Sequence, residues 1–181
     1  MPNWCSNTAR ITAPEPVIQE LRARVEATQR PSGTVMPGIL DLMVPEPRDI
    51  GDGWYDWRVE NWGTKWEISH IDVLDESEPD AIEIGFESAW APPLEAFRAW
   101  AERDGRVTYR IDYIEEGAGF VGRETYDGEC WEEQHFDQGV DPDGFETWAR
   151  DEWGWEPWED PEPLGEWLKD GVRQLEEEKN D

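Results

Sequence analysis

The sequence predicts an α+β fold in which two helices pack on one face of an antiparallel sheet. Three observations support this prediction. Short segments alternate between apolar and polar residues, as half-buried strands do. Two stretches carry apolar residues at helical spacing, and each starts at prolines, which the first turn of a helix tolerates. The segments follow one another in the order β-α-loop-β-β-α-β-β.

The first strand and the first helix occupy the N-terminal part of the chain. Residues 4–12 alternate loosely between polar and apolar, which predicts a strand. The following apolar residues recur at helical spacing and predict a helix that ends before Pro31. Residues 31–53 are rich in proline and glycine, so we expect a long loop there with a short element over 39–44.

The middle of the chain predicts a short helix and two paired strands. Residues 54–62 are expected to be helical and to end at Gly63, because glycine accepts the left-handed conformation that follows a helix. A strand over 65–74 changes register part-way, which indicates a bulge. A second strand over 80–90 alternates more regularly.

The second long helix and the last two strands follow. The helix starts at Pro92-Pro93, and its apolar stripe is Leu94, Phe97 and Trp100. Strands are expected over 106–114 and 120–126, and glycines mark the hairpin that joins them.

This order is that of a ferredoxin-like domain with one added strand, which we place at residues 1–126. Residues 127–181 differ in character and are expected to form an acidic, Trp-rich extension. Six of the thirteen tryptophans lie between 131 and 167. Apolar residues between 164 and 175 have helical spacing, which predicts a C-terminal amphipathic helix packed on the body.

Charge and composition exclude several classes of protein. The chain has 44 acidic and 16 basic residues, a net charge of −28. Such a surface repels nucleic acids and anionic membranes, so we expect no direct binding to either. No apolar run is long enough to span a bilayer, and the N-terminus lacks the pattern of a secretory signal. We therefore expect a cytoplasmic protein with reduced thiols at Cys5 and Cys130.

No motif predicts a metal, a cofactor or a catalytic residue. Residues 141–144 resemble part of a calcium loop, but Gly139 and Arg150 stand where the first and last positions of such a loop need acidic ligands. We interpret this segment as a turn. The two cysteines and two histidines lack the spacing of a zinc site. The glycine-rich residues 117–122 lie in a hairpin with no helix after them, which excludes a dinucleotide loop.

The tryptophans and the charge each have two interpretations. The C-terminal tryptophans either build a core or form aromatic anchors for a partner protein; the candidates are Trp148, Trp153, Trp155 and Trp158. The 28 net charges match those on about 14 base pairs of duplex DNA, as in a DNA mimic. Alternatively, a surface with 3 lysines and 13 arginines reflects solvation in a saline cytoplasm.

Four strings of residues occur together in a specific order, namely Met1–Asn7, 57–66, 86–93 and 113–122. Over residues 1–126 the chain resembles the YubB-like family of plasmid- and phage-borne proteins with a ferredoxin-like domain. This resemblance implies a ferredoxin-like fold without a cluster and carriage by mobile genetic elements. It implies no activity and no catalytic residue.

Our first functional hypothesis is a non-enzymatic binding protein of a mobile element. It would mimic nucleic acid and inhibit a host defence or DNA-processing protein, in the manner of anti-restriction or anti-CRISPR proteins. The expected partner is a host protein with a basic nucleic-acid-binding surface: a nuclease, a restriction enzyme or a CRISPR effector. The expected partner-binding acids are Asp151, Glu152, Glu156, Glu159, Asp160 and Glu162.

Two alternatives belong to other classes. One is a small-ligand-binding or enzymatic domain with a pocket where the long loop meets the sheet; its candidate residues are Asn61, Trp62, Lys65 and Tyr113. Lys65 would serve there either in an ion pair or in a binding groove. The other alternative is a structural domain adapted to high salt.

Overall fold

The structure is a computed structural model that describes residues 3–29 and 38–156. This part of the chain forms six strands and five α-helices. In order they are β1 (Trp4–Thr12), α1 (Glu15–Gln29), α2 (Ile39–Met43), α3 (Trp54–Trp62), β2 (Ser69–Asp75), β3 (Ala81–Ala89), α4 (Leu94–Arg103), β4 (Thr108–Glu115), β5 (Phe120–Tyr126), β6 (Trp131–Asp137) and α5 (Pro142–Trp153). The short element expected at 39–44 is the helix α2.

The strands form one antiparallel sheet in the order β2-β3-β1-β4-β5-β6. The first four strands of this order, with α1 and α4 as the crossover helices, have the topology of a ferredoxin-like domain. The predicted α+β fold class is therefore confirmed. The sheet has two added strands rather than the one expected, because β6 pairs with β5 beyond the predicted hairpin.

The main core lies between the sheet and the helices α1 to α4. Alternate residues of β1 point into it, and Ala9 and Ile11 are fully buried. From α4, Phe97 and Trp100 of the predicted stripe meet Ile111 of β4 in the same cluster. Burial of this one face fixes the register of the central strands, because a slip by one residue would expose every apolar side chain.

The helix α5 covers the opposite face of the sheet. Its Phe145 and Ala149 pack on Ile114 of β4 and Val121 of β5 in a second, smaller core. The expectation that the segment at Asp141 is only a turn was wrong. The Asp141 carboxylate accepts a hydrogen bond from the backbone N–H of Gly144 at 3.0 Å and caps the N-terminus of α5.

Strand β2 begins at Ser69, four residues later than predicted, because residues 63–68 form a loop along the end of the sheet. The register of β2 against β3 shifts twice, which confirms the predicted irregularity. In the described part of the chain, no helix is long and apolar enough to cross a membrane. The helix predicted near residues 164–175 lies outside the described residues.

Candidate functional site

The end of the described chain is strongly acidic. Residues 127–156 contain eleven acidic residues and a single basic one, Arg150. We call the exposed acids of β6, α5 and their flanking turns the acidic edge; they are Asp127, Glu129, Glu132, Glu133, Asp141, Asp143, Asp151, Glu152 and Glu156. Because a strand and a helix hold most of these carboxylates, their spacing is fixed.

Three of the six acids expected to bind a partner lie in this surface. Asp151 and Glu156 are exposed. Glu152 lies 2.7 Å from Arg123 and 3.8 Å from Arg110, so it ties α5 to the sheet. The other three, Glu159, Asp160 and Glu162, lie outside the described residues.

The tryptophans expected as partner anchors are half-buried where the structure describes them. The ring of Trp148 lies 5.3 Å from that of Phe136 and is covered by the Arg123 guanidinium at 5.0 Å. Trp153 and Trp155 pack against the second core. These contacts hold α5 on the sheet. Trp158 lies outside the described residues.

Two of the four residues expected to form a pocket at the junction of loop and sheet instead stabilise the loop. Trp62 is 2% exposed, and its indole N–H donates to the Val44 carbonyl at 2.9 Å. The Asn61 side chain donates to the Trp57 carbonyl at 2.8 Å within α3. Trp62 therefore fastens the long loop and α3 to the core, and Asn61 stabilises the last turn of α3.

Lys65 lies among aromatic rings at the end of the sheet. Its ammonium is 4.5 Å from the ring centre of Trp66, 4.8 Å from Trp90 and 5.8 Å from Tyr55. No carboxylate of residues 3–29 or 38–156 lies within ion-pair distance of it. Within the described residues, Lys65 therefore makes cation–π contacts and does not form the ion pair that was one of its two expected roles.

The Trp4 ring lies 6.1 Å from that of Trp66. We call Lys65 and the rings of Trp4, Tyr55, Trp66 and Trp90 the aromatic cluster. Three of these rings are unusually exposed: Trp4 is 41%, Tyr55 38% and Trp90 40% accessible. The fold brings these residues together from β1, α3, the 63–68 loop and the position directly after β3.

The backbone of Trp90 is held in an uncommon conformation. Its φ is 71°, a left-handed value that is unfavourable by about 1 kcal/mol or more for a residue with a side chain. The N–H of Trp90 donates to the Asn3 carbonyl at 2.9 Å. Buried polar side chains support the same turn: Thr64 donates to the Ala89 carbonyl and Ser88 to the Ala91 carbonyl, both at 2.8 Å.

Tyr113 lines a cleft of about 310 Å³ between the start of α4 and strands β4 to β6. The lining residues are Gly63, Ala91, Pro92, Leu94, Glu95, Tyr113, Phe120, Glu133 and His135. The Tyr113 hydroxyl lies 3.1 Å from Nδ1 of His135. Burial, and after it the charges of Glu133 and Glu124, raise the pKa of Tyr113, so its phenol stays protonated.

A charged network lies beside this cleft. Glu124 is fully buried and accepts hydrogen bonds from Arg98 Nε at 2.8 Å and from the Tyr109 hydroxyl at 2.6 Å. Arg98 also contacts Glu95 at 3.2 Å and Glu133 at 3.3 Å. One arginine thus faces three carboxylates, which leaves two formal negative charges unbalanced.

Of the residues expected at the junction, only Tyr113 lines this cleft, and Lys65 lies in the neighbouring aromatic cluster. Glu133 and His135 were not expected in this cleft, because the sequence predicts no strand at 131–137. Among the described residues, no group of three or more histidine, cysteine or acidic side chains is placed to hold a metal ion. Both cysteines are free, with Cys5 buried and Cys130 exposed.

Comparison with known proteins gives a family. No curated protein matches the chain. A crystal structure of the protein api92 from Yersinia pseudotuberculosis is similar, with a TM-score of 0.49 and 10% identity, over 75% of this chain and 98% of that one. The family model described as "Ferredoxin-like domain in Api92-like protein" matches residues 61–153, from the end of α3 to the end of α5. That match covers just over half of the sequence, and the chain therefore belongs to this family of ferredoxin-like domains.

Proposed function

We propose that this chain is a non-enzymatic binding protein whose acidic edge occupies the nucleic-acid-binding surface of another protein. The observation that carries the proposal is the placement of nine exposed carboxylates on and beside β6 and α5, with one basic residue among them. A partner with a basic groove would exchange its contacts with phosphates for contacts with these carboxylates.

The spacing of the charges suits such an exchange. A seven-residue strand is about 23 Å long and a twelve-residue helix about 18 Å. Nine charges correspond to about 15 Å of duplex DNA, which carries one charge per about 1.7 Å. The charge density of the acidic edge is therefore of the same order as that of DNA.

The biological setting proposed here comes from the resemblance to the YubB-like family. If a plasmid or phage carries the gene, inhibition of a host nuclease, restriction enzyme or CRISPR effector would protect the DNA of that element. The activity would be exerted in the cytoplasm, by competition with nucleic acid and without catalysis.

A capture experiment with the tagged full chain tests the proposal. The immobilised protein is incubated with host lysate at low salt, and retained proteins are challenged with duplex DNA. We expect a nucleic-acid-binding protein that duplex DNA displaces and that elutes as salt rises, since charge contacts between exposed groups are screened by salt. Retention of nothing, or only of basic proteins that DNA does not displace, would contradict the proposal.

A pair of variants tests the location of the surface. Asp151→Lys with Glu156→Lys reverses the charge of two carboxylates of the acidic edge that form no ion pair with residues 3–29 or 38–156, and should abolish capture. Asp49→Lys with Glu102→Lys changes the net charge equally at exposed positions outside that edge and should leave capture largely intact. Equal losses from both variants would show that net charge, not the acidic edge, governs binding.

A further inference from the structure

We infer that the cleft beside Tyr113 and His135 receives an arginine guanidinium from the partner protein. The inference deepens the proposed function and rests on it for the source of the side chain. The fit to a planar cation rests on the cleft itself, which can be tested without a partner.

The walls of the cleft suit a flat group on an apolar stem. Pro92, Leu94 and Phe120 supply apolar surface. The Phe120 ring centre lies 6.2 Å from that of Tyr113 and 5.6 Å from that of His135. A guanidinium stacks on such rings, and its methylene stem packs on apolar walls.

The charge of the cleft selects a cation. Arg98 engages Oε1 of Glu95 and Oε2 of Glu133. The second oxygen of each carboxylate accepts no hydrogen bond from any described residue. These two oxygens remain available to donors from a ligand, and the two unbalanced charges beside Arg98 would repel an anion.

A guanidinium fits this set of groups better than an ammonium does. It offers several donors in one plane and stacks on aromatic rings, and it is less strongly hydrated than an ammonium. A neutral ligand of the same shape would gain the apolar contacts without the charge-assisted hydrogen bonds.

The position of the cleft links the two surfaces described above. Glu133 belongs both to the acidic edge and to the cleft wall, and Ala91 of the wall follows Trp90 of the aromatic cluster. A partner that lies along the acidic edge would reach the cleft with the same basic surface.

The test uses the full chain and N-butylguanidinium as the probe, with N-butylurea as its uncharged analogue. The chain has two histidines, His135 in the cleft and His70 on β2, so the NMR spectrum contains the imidazole signals of only these two residues. The variant His70→Gln assigns each signal to its residue. We expect the guanidinium to shift the His135 signal saturably at constant pH and ionic strength, with His70 unaffected. An unmoved His135 signal, or an equal response to the urea, would overturn the inference.

Two variants on one strand separate the cleft from general acidity. Glu133→Gln removes a cleft carboxylate and should weaken guanidinium binding about tenfold, as expected for one charge-assisted hydrogen bond. Glu132→Gln removes the same charge from the neighbouring residue, which points to the other face of β6, and should change the affinity less than twofold. Both variants are checked for an unchanged unfolding temperature. Equal weakening by both would contradict a specific site.

The outcomes also separate the two proposals. Saturable guanidinium binding without capture of a basic partner would leave the cleft chemistry in place and refute the proposed function, and with it an arginine source in that partner. Capture of a DNA-displaceable partner without guanidinium binding would refute only the inference about the cleft. When both succeed, Glu133→Gln should weaken partner binding more than Glu132→Gln does.

Discussion

Glu124 is the most buried charge in the described chain, and its partners hold the two strands beside the cleft together. Arg98 reaches it from α4, and Tyr109 reaches it from β4. A buried carboxylate with these partners is tolerated, but the same carboxylate without its arginine is destabilising. The network therefore couples the helical layer to the added strands through one side chain.

Replacing Arg98 by Met should lower the free energy of unfolding by about 2–4 kcal/mol, since the Glu124 carboxylate would lose its countercharge. We expect a smaller loss of stability than for a fully buried ion pair because the Arg98 side chain is itself 33% exposed. Urea unfolding at neutral pH measures it. Arg106→Met, which removes a surface pair with Asp104, is the control and should have little effect. A similar small effect for Arg98→Met would show that Glu124 is solvated in the folded protein.

The buried Cys5 thiol predicts a loss of stability in alkali. Burial raises the pKa of Cys5 above its ordinary value of 9.0, so the folded protein keeps a proton that the unfolded chain releases. The free energy of unfolding is therefore not reduced by this thiol below about pH 8, and it decreases as the pH rises above 9. The Tyr109 and Tyr113 phenols, whose pKa values are raised above 10.0 chiefly by burial, add to the decline at higher pH.

We therefore expect urea unfolding free energies to fall between pH 8 and pH 10 in a Cys130→Ala background, where Cys5 is the only thiol. Adding Cys5→Ala should delay the fall until the tyrosines titrate. Parallel curves for the two proteins would contradict this origin of the pH dependence.

At the scale of elements, β5 depends on a glycine inside the strand. A Cβ at Gly122 would overlap the Gln134 carbonyl of β6 and would lie 2.6 Å from the Tyr113 hydroxyl. The absence of a side chain there allows β6 to pair and the Tyr113 ring to lie across the strand.

Gly122→Ala should consequently destabilise the protein by about 2–3 kcal/mol and displace Tyr113 from His135. Thermal unfolding and the His135 NMR signal measure the two effects. Gly105→Ala is the matched control, because a Cβ at Gly105 meets nothing within 4 Å and should change stability little. If Gly122→Ala left both the unfolding temperature and the His135 signal unchanged, β6 would pair with β5 less closely than described.

The helix α5 depends on its cap. Asp141→Ala removes the side chain that accepts the Gly144 N–H and should lower the free energy of unfolding by about 1 kcal/mol. Asp141→Asn keeps a capping oxygen and should retain most of that stability. Urea unfolding compares the three proteins, and equal losses for both variants would assign the effect to charge rather than to the hydrogen bond.

The elements that could be predicted are those with one buried face. Strand β1 and helix α4 follow their apolar patterns because each covers the main core on one side only. Strand β6 was not predicted because Trp131 to His135 are all exposed, and the sequence there has no alternation of apolar and polar residues. The cleft could not be predicted in full, since it joins residues far apart in sequence and includes two residues of β6.

At the scale of the whole molecule, the net charge of −28 opposes compaction. Sodium chloride shortens the range of this repulsion to about 10 Å at 0.1 M and 3 Å at 1 M. We expect the unfolding temperature to rise steeply at low salt and to level off below 1 M. Calorimetry across a salt series measures it. A rise that continues into multimolar salt would favour adaptation to a saline cytoplasm over mimicry.

The two outer strands of the sheet, β2 and β6, determine whether strands of another copy can pair with it. An unpaired strand edge is a template for stacking further copies into fibres. At β6, an antiparallel register that pairs Glu132 with Glu133 of a second copy would place like charges opposite each other, which is unfavourable. At β2, the register shifts and the left-handed His70 interrupt the row of backbone groups. Among the described residues the sheet has six strands, and both outer strands disfavour pairing with a second copy of the chain.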